Sequence, residues 1–271
     1  MLYFNKGGDH ITGNSIKILC IGNSFSQDTT TYVAEIAASL GFSDLLVANL
    51  YIGGCPIGMH FENIKNDLPA YRYDSNNGSG WVQTPDCKIS DAIKSNKWDW
   101  ICIQHGSSYG GRYTDPESYK DLGELVRLIK AIADPETNVA FNMAWVGEPT
   151  RDRPEMLEFN RDQVRYFEAV CAITKGIVAE TEGIERVCPA GTAVQNARTT
   201  DLNSRLNRDG FHLSLDVGRY LAGLTFFATL TGMSISNISW KPLGVSEEDK
   251  ALLIKAAAAA IEEPFRTVAI L

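Results

Sequence analysis

Ser24, Asp209 and His212 are the residues whose types and spacing could do chemistry. A serine hydroxyl is a poor nucleophile until a base takes its proton, and histidine is the side chain best matched to that task near neutral pH. Asp209 and His212 lie in a polar stretch, Asp201 to Ser214, and their spacing lets both side chains face one way if the turn there is helical. Asp209 can then hold the imidazole in one tautomer and stabilise its cation. Ser24 follows an apolar run, IKILCIGNSFS from Ile16 to Ser26, that breaks sharply into small and polar residues. These groups suit acyl transfer, which also needs N–H donors aimed at a developing oxyanion. The candidates are the Ser24 N–H at a helix start, the Gly54 N–H and the Gln104 side-chain amide.

The elements that must position these residues follow from the apolar periodicity. Ile, Leu, Cys and Ile without polar alternation suit a first strand buried in a parallel sheet. Thr29 to Leu40 has helical spacing with Gly41 to cap it, and Asp44 to Ile52 returns as a second strand that stops at Gly53 and Gly54. Pro56 to Leu68 reads as a short helix. Tyr71 to Gln83 reads as an aromatic hairpin, either one wall of a substrate cleft or a surface hairpin packing its own rings. After a brief helix over Ile89 to Ser95, Trp98 to Gln104 is the third strand, and it ends in the polar loop His105 to Ser108. Pro116 to Ala133 is helical, Asn138 to Val146 a fourth strand, and Pro154 to Lys175 one long amphipathic helix. Ile184 to Pro189 is a last strand, followed by a short helix near Ala193 to Ala197. Leu215 to Thr231 and Glu247 to Glu262 are helices, the second expected to lie over the first strand. The order is β then α throughout, which predicts a single α/β domain over residues 1–271, its core within about 16–231 and its last helix within 246–263. Loops after parallel strands leave one sheet edge, so Ser24, Gly54 and Gln104 can converge there.

The chain is 44% hydrophobic and 21% charged, with a formal net charge of -8. Its length allows one large core, and its negative balance argues against nucleic acid as a partner. Met1 to Ser15 has neither the charged nor the long apolar region of a secretory signal, and no apolar run reaches the roughly 18 residues of a membrane span. A cytoplasmic protein is expected, or a secreted or periplasmic one if a signal has been removed. The six cysteines show no CxxC spacing and read as free thiols. Cys55, beside Gly54, reads as a small buried side chain or as a thiol open to alkylating agents. The four histidines, His10 and His60 among them, have no metal-ligand spacing, and the GNS turn does not extend to a nucleotide-binding motif, so no metal or cofactor is expected. Oligomeric state leaves no signal in the sequence.

Together the motifs resemble a family. Gly22-Asn23-Ser24-Phe25-Ser26 is similar to the first block of the SGNH (GDSL-type) hydrolases, with Asn23 where many members carry Asp. Gly54 resembles the second-block glycine, and Asp209-Gly210-Phe211-His212 matches the final DxxH block. Order and rough spacing agree from residue 16 to residue 231, and the GNSF form is similar to a bacterial branch related to carbohydrate acetylesterases. The third block usually reads GxND, its Asn donating to the oxyanion, whereas here the strand ends Ile103-Gln104-His105-Gly106-Ser107. Gln104 can replace that amide, as in branches with a QG-type motif, or His105 or Ser107 takes its place.

The resemblance implies a three-layer α/β/α, flavodoxin-like fold with a parallel sheet of about five strands. It implies that Ser24 attacks an ester carbonyl, His212 serves as base and then acid, and Asp209 orients it. Ser24, Gly54 and Gln104 would form the oxyanion hole, and no cofactor is needed. Asn23, His105, Trp81 and Trp145 are expected to border the substrate cleft, the tryptophans as wall or core with sugar stacking left open. The expected substrate is a small-molecule ester of a small acyl group, acetate on a sugar. A lipid or thioester acyl hydrolase is the rival within this chemistry, and an inactive carbohydrate-binding protein the rival outside it. Retention of Ser24, Asp209 and His212 together discriminates against the latter.

Overall fold

The computed structural model describes residues 14–271, so His10 and the first thirteen residues lie outside the described part. In chain order the elements are β1 (Ser15–Gly22), α1 (Ser24–Thr30), α2 (Val33–Ser39), β2 (Asp44–Tyr51), α3 (Ile57–Lys65), β3 (Tyr71–Asn76) and β4 (Trp81–Cys87). They continue with α4 (Ile89–Lys94), β5 (Trp100–Ile103), α5 (Leu122–Ile132), β6 (Asn138–Asn142), α6 (Pro154–Glu158) and α7 (Gln163–Glu180). The chain closes with β7 (Arg186–Cys188), α8 (Ala190–Ala197), α9 (Val217–Thr231) and α10 (Glu247–Glu262). Short 3-10 turns lie at Pro116–Tyr119 and Asn203–Arg205.

The strands form one seven-stranded sheet in the order β4-β3-β2-β1-β5-β6-β7. β1 pairs in parallel with both β2 and β5, and the parallel set continues through β6 to β7. Those five strands are the sheet read from the sequence. The other two are the aromatic hairpin, which adds antiparallel to the free edge of β2. Its turn is held by Asn76, whose Oδ1 accepts from the Gly78 and Gly80 N–H groups. Helices α1, α2, α8, α9 and α10 pack together in one layer, and α3, α4 and α5 in the other. β1 sits mid-sheet between these layers, and Ile16, Ile18, Leu19 and Ile21 are wholly buried, which is why the strand shows no polar alternation.

Several boundaries differ from the sequence reading for local reasons. The helix expected over Thr29 to Leu40 is instead two, and the Thr30 and Thr31 hydroxyls return to the Ser26 and Gln27 carbonyls where the first ends. The long helix from Pro154 is broken because Asn160 and Arg161 take φ of 53° and 62°, after which Asp162 caps α7. α10 starts in a Ser246/Asp249 capping box. It lies on α8 and α9, not over β1, because its buried stripe of Leu253, Ala256, Ala257 and Ala260 meets those helices. Among the described residues no helix is long and apolar enough to cross a membrane.

Candidate active site

The first loop is built by Asn23. Its extended backbone ends β1, its Oδ1 accepts from the Phe25 N–H at 2.9 Å to cap α1, and its Nδ2 donates to the Cys55 carbonyl at 3.3 Å. One buried side chain thus starts the helix and ties the first loop to the second. Gly22 permits the sharp turn, since a Cβ there would lie 2.7 Å from Ser26 Oγ. Ser24 becomes the first residue of α1, where a backbone N–H has no intrahelical acceptor.

The DGFH stretch meets Ser24 from the opposite side. His212 Nε2 lies 3.0 Å from Ser24 Oγ, and His212 Nδ1 lies 2.6 Å from Asp209 Oδ2. Asp209 Oδ1 accepts from the Phe211 and His212 N–H groups at 3.0 and 2.7 Å, so the loop wraps around its own carboxylate. Gly210, at φ 74°, makes the reversal possible. Burial pushes the Asp209 carboxyl up, but the bonds from the His212 ring and from the two backbone N–H groups outweigh it and bring its pKa down to about 2. A charged carboxylate on Nδ1 leaves Nε2 facing the hydroxyl as a proton acceptor. The site is open: the Asp209 side chain is 43% exposed and that of His212 25%.

Aromatic rings fix this loop from below. Phe25, next to Ser24, stacks on Trp145 at 4.0 Å and packs at a tilt against Phe211, next to His212, at 4.8 Å. Trp145 Nε1 also donates to the Phe211 carbonyl at 2.8 Å. On the outer side, the Arg153 guanidinium lies 4.1 Å from the centre of the Phe211 ring and donates to Ser107 Oγ at 3.2 Å.

The second and third loops brace one another. Gly54 takes φ 65°, and a Cβ on it would sit 2.3 Å from Ser108 Oγ. A Cβ on Gly106 would sit 2.3 Å from the Cys55 carbonyl oxygen, so Gly106 is required by backbone contact and Gly54 by its positive φ and the Ser108 side chain. The Ser108 N–H donates to the Gly54 carbonyl at 3.2 Å, which ties the third loop to the second.

The model of the DUF4886 family, a domain of unknown function, matches residues 17–260. The chain belongs to the DUF4886 family. No curated protein matches it. A crystal structure of a DUF4886 family protein from Bacteroides uniformis is 32% identical, with 94% of this chain and 97% of that one covered and a TM-score of 0.88. A member of the lipolytic G-D-S-L family from Veillonella parvula matches at 15% identity over 81% of this chain and 100% of its own, with a TM-score of 0.51. An acetylxylan esterase from Geobacillus stearothermophilus matches at 16% identity over 80% of this chain and 95% of its own, with a TM-score of 0.50. This DUF4886 chain therefore has the fold of the SGNH (GDSL-type) hydrolases.

Other residues singled out in the sequence take supporting places in this DUF4886 site. Gln104 is 1% exposed, its Oε1 accepts from Asn142 Nδ2 at 3.3 Å, and its Nε2 is buried with no partner in the protein. His105 Nδ1 accepts from the Ile57 N–H at 3.2 Å, and its ring packs 4.5 Å from Tyr119; burial pushes its pKa down to about 4. His60 is buried against Tyr71, at 2.8 Å, and burial pushes it down to about 3, with His105 adding to the effect. Trp145 is wholly buried and supports the Phe211 loop, so it offers no face to a sugar. Trp81 donates to the Thr31 carbonyl at 3.3 Å, beyond the far end of α1 from Ser24. Cys55 is fully buried and its thiol is pushed up to about 12 by burial, so the thiol open to alkylation is replaced by a packed one. Two residues with structural weight here, Phe25 and Phe211, stand inside the GNSF and DGFH motifs, so their adjacency to the polar residues was a readable signal. Among the described residues no group of three or more His, Cys, Asp or Glu is placed to hold a metal ion.

Proposed function

We propose that this protein is a serine esterase that removes a small acyl group, acetyl above all, from a carbohydrate. The observation that carries the reading is the unbroken line from Asp209 Oδ2 to His212 Nδ1 at 2.6 Å and from His212 Nε2 to Ser24 Oγ at 3.0 Å. In the proposed reaction Ser24 Oγ attacks the ester carbonyl while His212 Nε2 takes the hydroxyl proton. The negative charge on the tetrahedral oxygen is met by the Ser24 and Gly54 N–H groups. His212 then gives its proton to the departing sugar oxygen, leaving an acyl-Ser24. Water, deprotonated by the same ring, releases the acid and restores the serine.

Gln104 is the third proposed donor. Its unpartnered Nε2 suits that role only when the amide turns from Asn142 toward the cleft, because the atom is out of solvent contact where it lies. The openness of the His212 and Asp209 side chains, 25% and 43% exposed, favours a bulky polar acceptor outside the site over a deeply enclosed lipid chain. Likeness of fold to an acetylxylan esterase agrees with this preference. The test is acetate release from a panel of acetylated sugars, run beside p-nitrophenyl acetate and longer acyl esters. Preference for long acyl chains would replace the carbohydrate reading with the lipid one, and equal turnover by Ser24→Ala would remove the nucleophile.

A further inference from the structure

We propose that Asp28 is the positioning residue that holds the His212 loop at its working distance from Ser24; this rests on the serine-esterase reading above. Asp28 lies one helical turn beyond Ser24 on α1, so the helix that presents the nucleophile also presents this carboxylate. The side chain is 1% exposed and faces the DGFH loop rather than solvent. Arg208 Nη1 meets both of its oxygens, at 3.0 and 3.1 Å, and Arg219 Nε donates to Oδ1 at 2.8 Å. The Leu213 N–H donates to Oδ2 at 2.9 Å.

The sequence positions of these partners give the arrangement its meaning. Arg208 immediately precedes Asp209, and Leu213 immediately follows His212. One carboxylate therefore grips both ends of the DGFH segment, while Arg219 ties in α9 just downstream. The segment keeps its own shape through other bonds: Arg208 N–H to the His212 carbonyl at 3.0 Å, and Asn207 Nδ2 to the Phe211 and His212 carbonyls at 3.1 and 3.3 Å. Those bonds are internal and say nothing about where the segment sits. The rings of Phe25, Phe211 and Trp145 limit its height above the sheet, and the bonds from Trp145 Nε1 to the Phe211 carbonyl and from the Glu148 N–H to the Gly210 carbonyl tie it to the loop after β6, but neither bond links it to the helix that carries Ser24. Asp28 supplies directional bonds between α1 and the segment. A carboxylate with two guanidinium partners and a backbone N–H is fixed in orientation as well as position.

Loss of that grip should leave the segment folded and His212 displaced. Displacement of a reacting group by about 1 Å costs on the order of 10²-fold in rate. The experiment compares Asp28→Asn, Arg208→Gln and a control, Asp249→Asn, with the parent. Asp249 is a largely shielded carboxylate paired with Arg205 at 2.8 Å and part of the α10 capping box, away from the DGFH segment, so its loss removes structural bonds that do not touch that segment. Kinetics with p-nitrophenyl acetate should show kcat lowered about 10²-fold in Asp28→Asn and about 10-fold in Arg208→Gln, with KM within about twofold. Asp249→Asn should lower the melting temperature and keep the parental kcat. A crystal structure of Asp28→Asn, or of Arg208→Gln if the first does not fold, should show the His212 Nε2 to Ser24 Oγ distance lengthened. A parental kcat in either folded variant, or an unchanged distance, overturns the proposal. Absence of Ser24-dependent turnover in the parent would sink the esterase reading instead, and the crystallographic distance would still decide the role of Asp28.

Discussion

Replacing Gly54 by alanine tests the second loop, and the structure sets the size of the effect. The residue takes φ 65°, a conformation that costs an L-residue about 1–2 kcal/mol. The new Cβ would also fall 2.3 Å from Ser108 Oγ and 2.6 Å from its Cβ, while the Ser108 Cα would be at 3.8 Å, an ordinary contact. Relieving an overlap of that kind costs about 1–3 kcal/mol more, for a total of about 2–5 kcal/mol. At about 2–4 °C per kcal/mol for a chain of this size, the melting temperature of Gly54→Ala should fall by about 4–20 °C. Relief comes from moving the Gly54 peptide or the third loop, and moving the peptide would take its N–H off the proposed oxyanion position. The kcat for p-nitrophenyl acetate should then fall by about 10²- to 10³-fold. Ser108→Gly removes both offending atoms. In a double-mutant cycle by calorimetry and steady-state kinetics, it should recover the overlap portion of the loss and leave the φ portion. The reasoning is refuted if Gly54→Ala keeps the parental melting temperature and kcat, or if Ser108→Gly recovers none of the loss.

Other expectations follow from the same geometry. Asp209→Asn should keep the fold and lose about 10²- to 10⁴-fold in kcat, read with p-nitrophenyl acetate, because the imidazole loses its orienting charge; a change under twofold contradicts the triad. Asp209, brought from 3.8 to about 2, contributes stability that is present above pH 3.8 and fades as the pH falls toward 2. The buried bases act higher: His60 and His105, pushed from 6.5 to about 3 and about 4, are neutral in the fold but take up protons below pH 6.5 once unfolded. Stability should therefore be full above pH 6.5 and should drop by about 2 kcal/mol per histidine by pH 5, read as a lower urea midpoint; a flat profile refutes it. Gln104→Ala and His105→Ala separate the assignments of the third loop: a fall in kcat of about 10²-fold in the first alone marks Gln104 as an oxyanion donor, and a fall in the second alone moves the role to His105. Native protein treated with iodoacetamide should show no label on Cys55 by peptide mass spectrometry, whereas denatured protein should.

The parallel heart of the fold was readable because each strand of it is apolar without alternation and stops at a small or polar residue, as β1 does at Gly22 and β2 before Gly53. The hairpin over Tyr71 and Trp81 was readable as a hairpin but not as part of the sheet. Strand pairing at an edge depends on where the unpaired side of β2 lies, which local sequence does not encode. The breaks after Thr30 and at Asn160 and Arg161 escaped a periodicity argument because the apolar spacing runs straight through them. They come from hydroxyl-to-carbonyl bonds and left-handed backbone. Ser24, Asp209 and His212 carried their chemistry in residue type, so they could be chosen before their contacts were known. Asp28 could not, since its partners Arg208, Leu213 and Arg219 are far off in the chain and it stands just ahead of the helix expected from Thr29, where the sequence gives it no role. Trp145 was ambiguous for the opposite reason: a tryptophan near a strand end serves a cleft or a core equally well by type, and only its burial decides.

The account stands on Ser24 as the atom that takes up the acyl group. The most direct test is to mix the protein with p-nitrophenyl acetate, quench in acid during the pre-steady state and map the modified peptide by mass spectrometry. The account predicts one acetyl group on Ser24, its build-up matching a burst of p-nitrophenol, and no such adduct in Ser24→Ala. Acetyl on another residue with Ser24 unmodified, or undiminished turnover in Ser24→Ala, would contradict it.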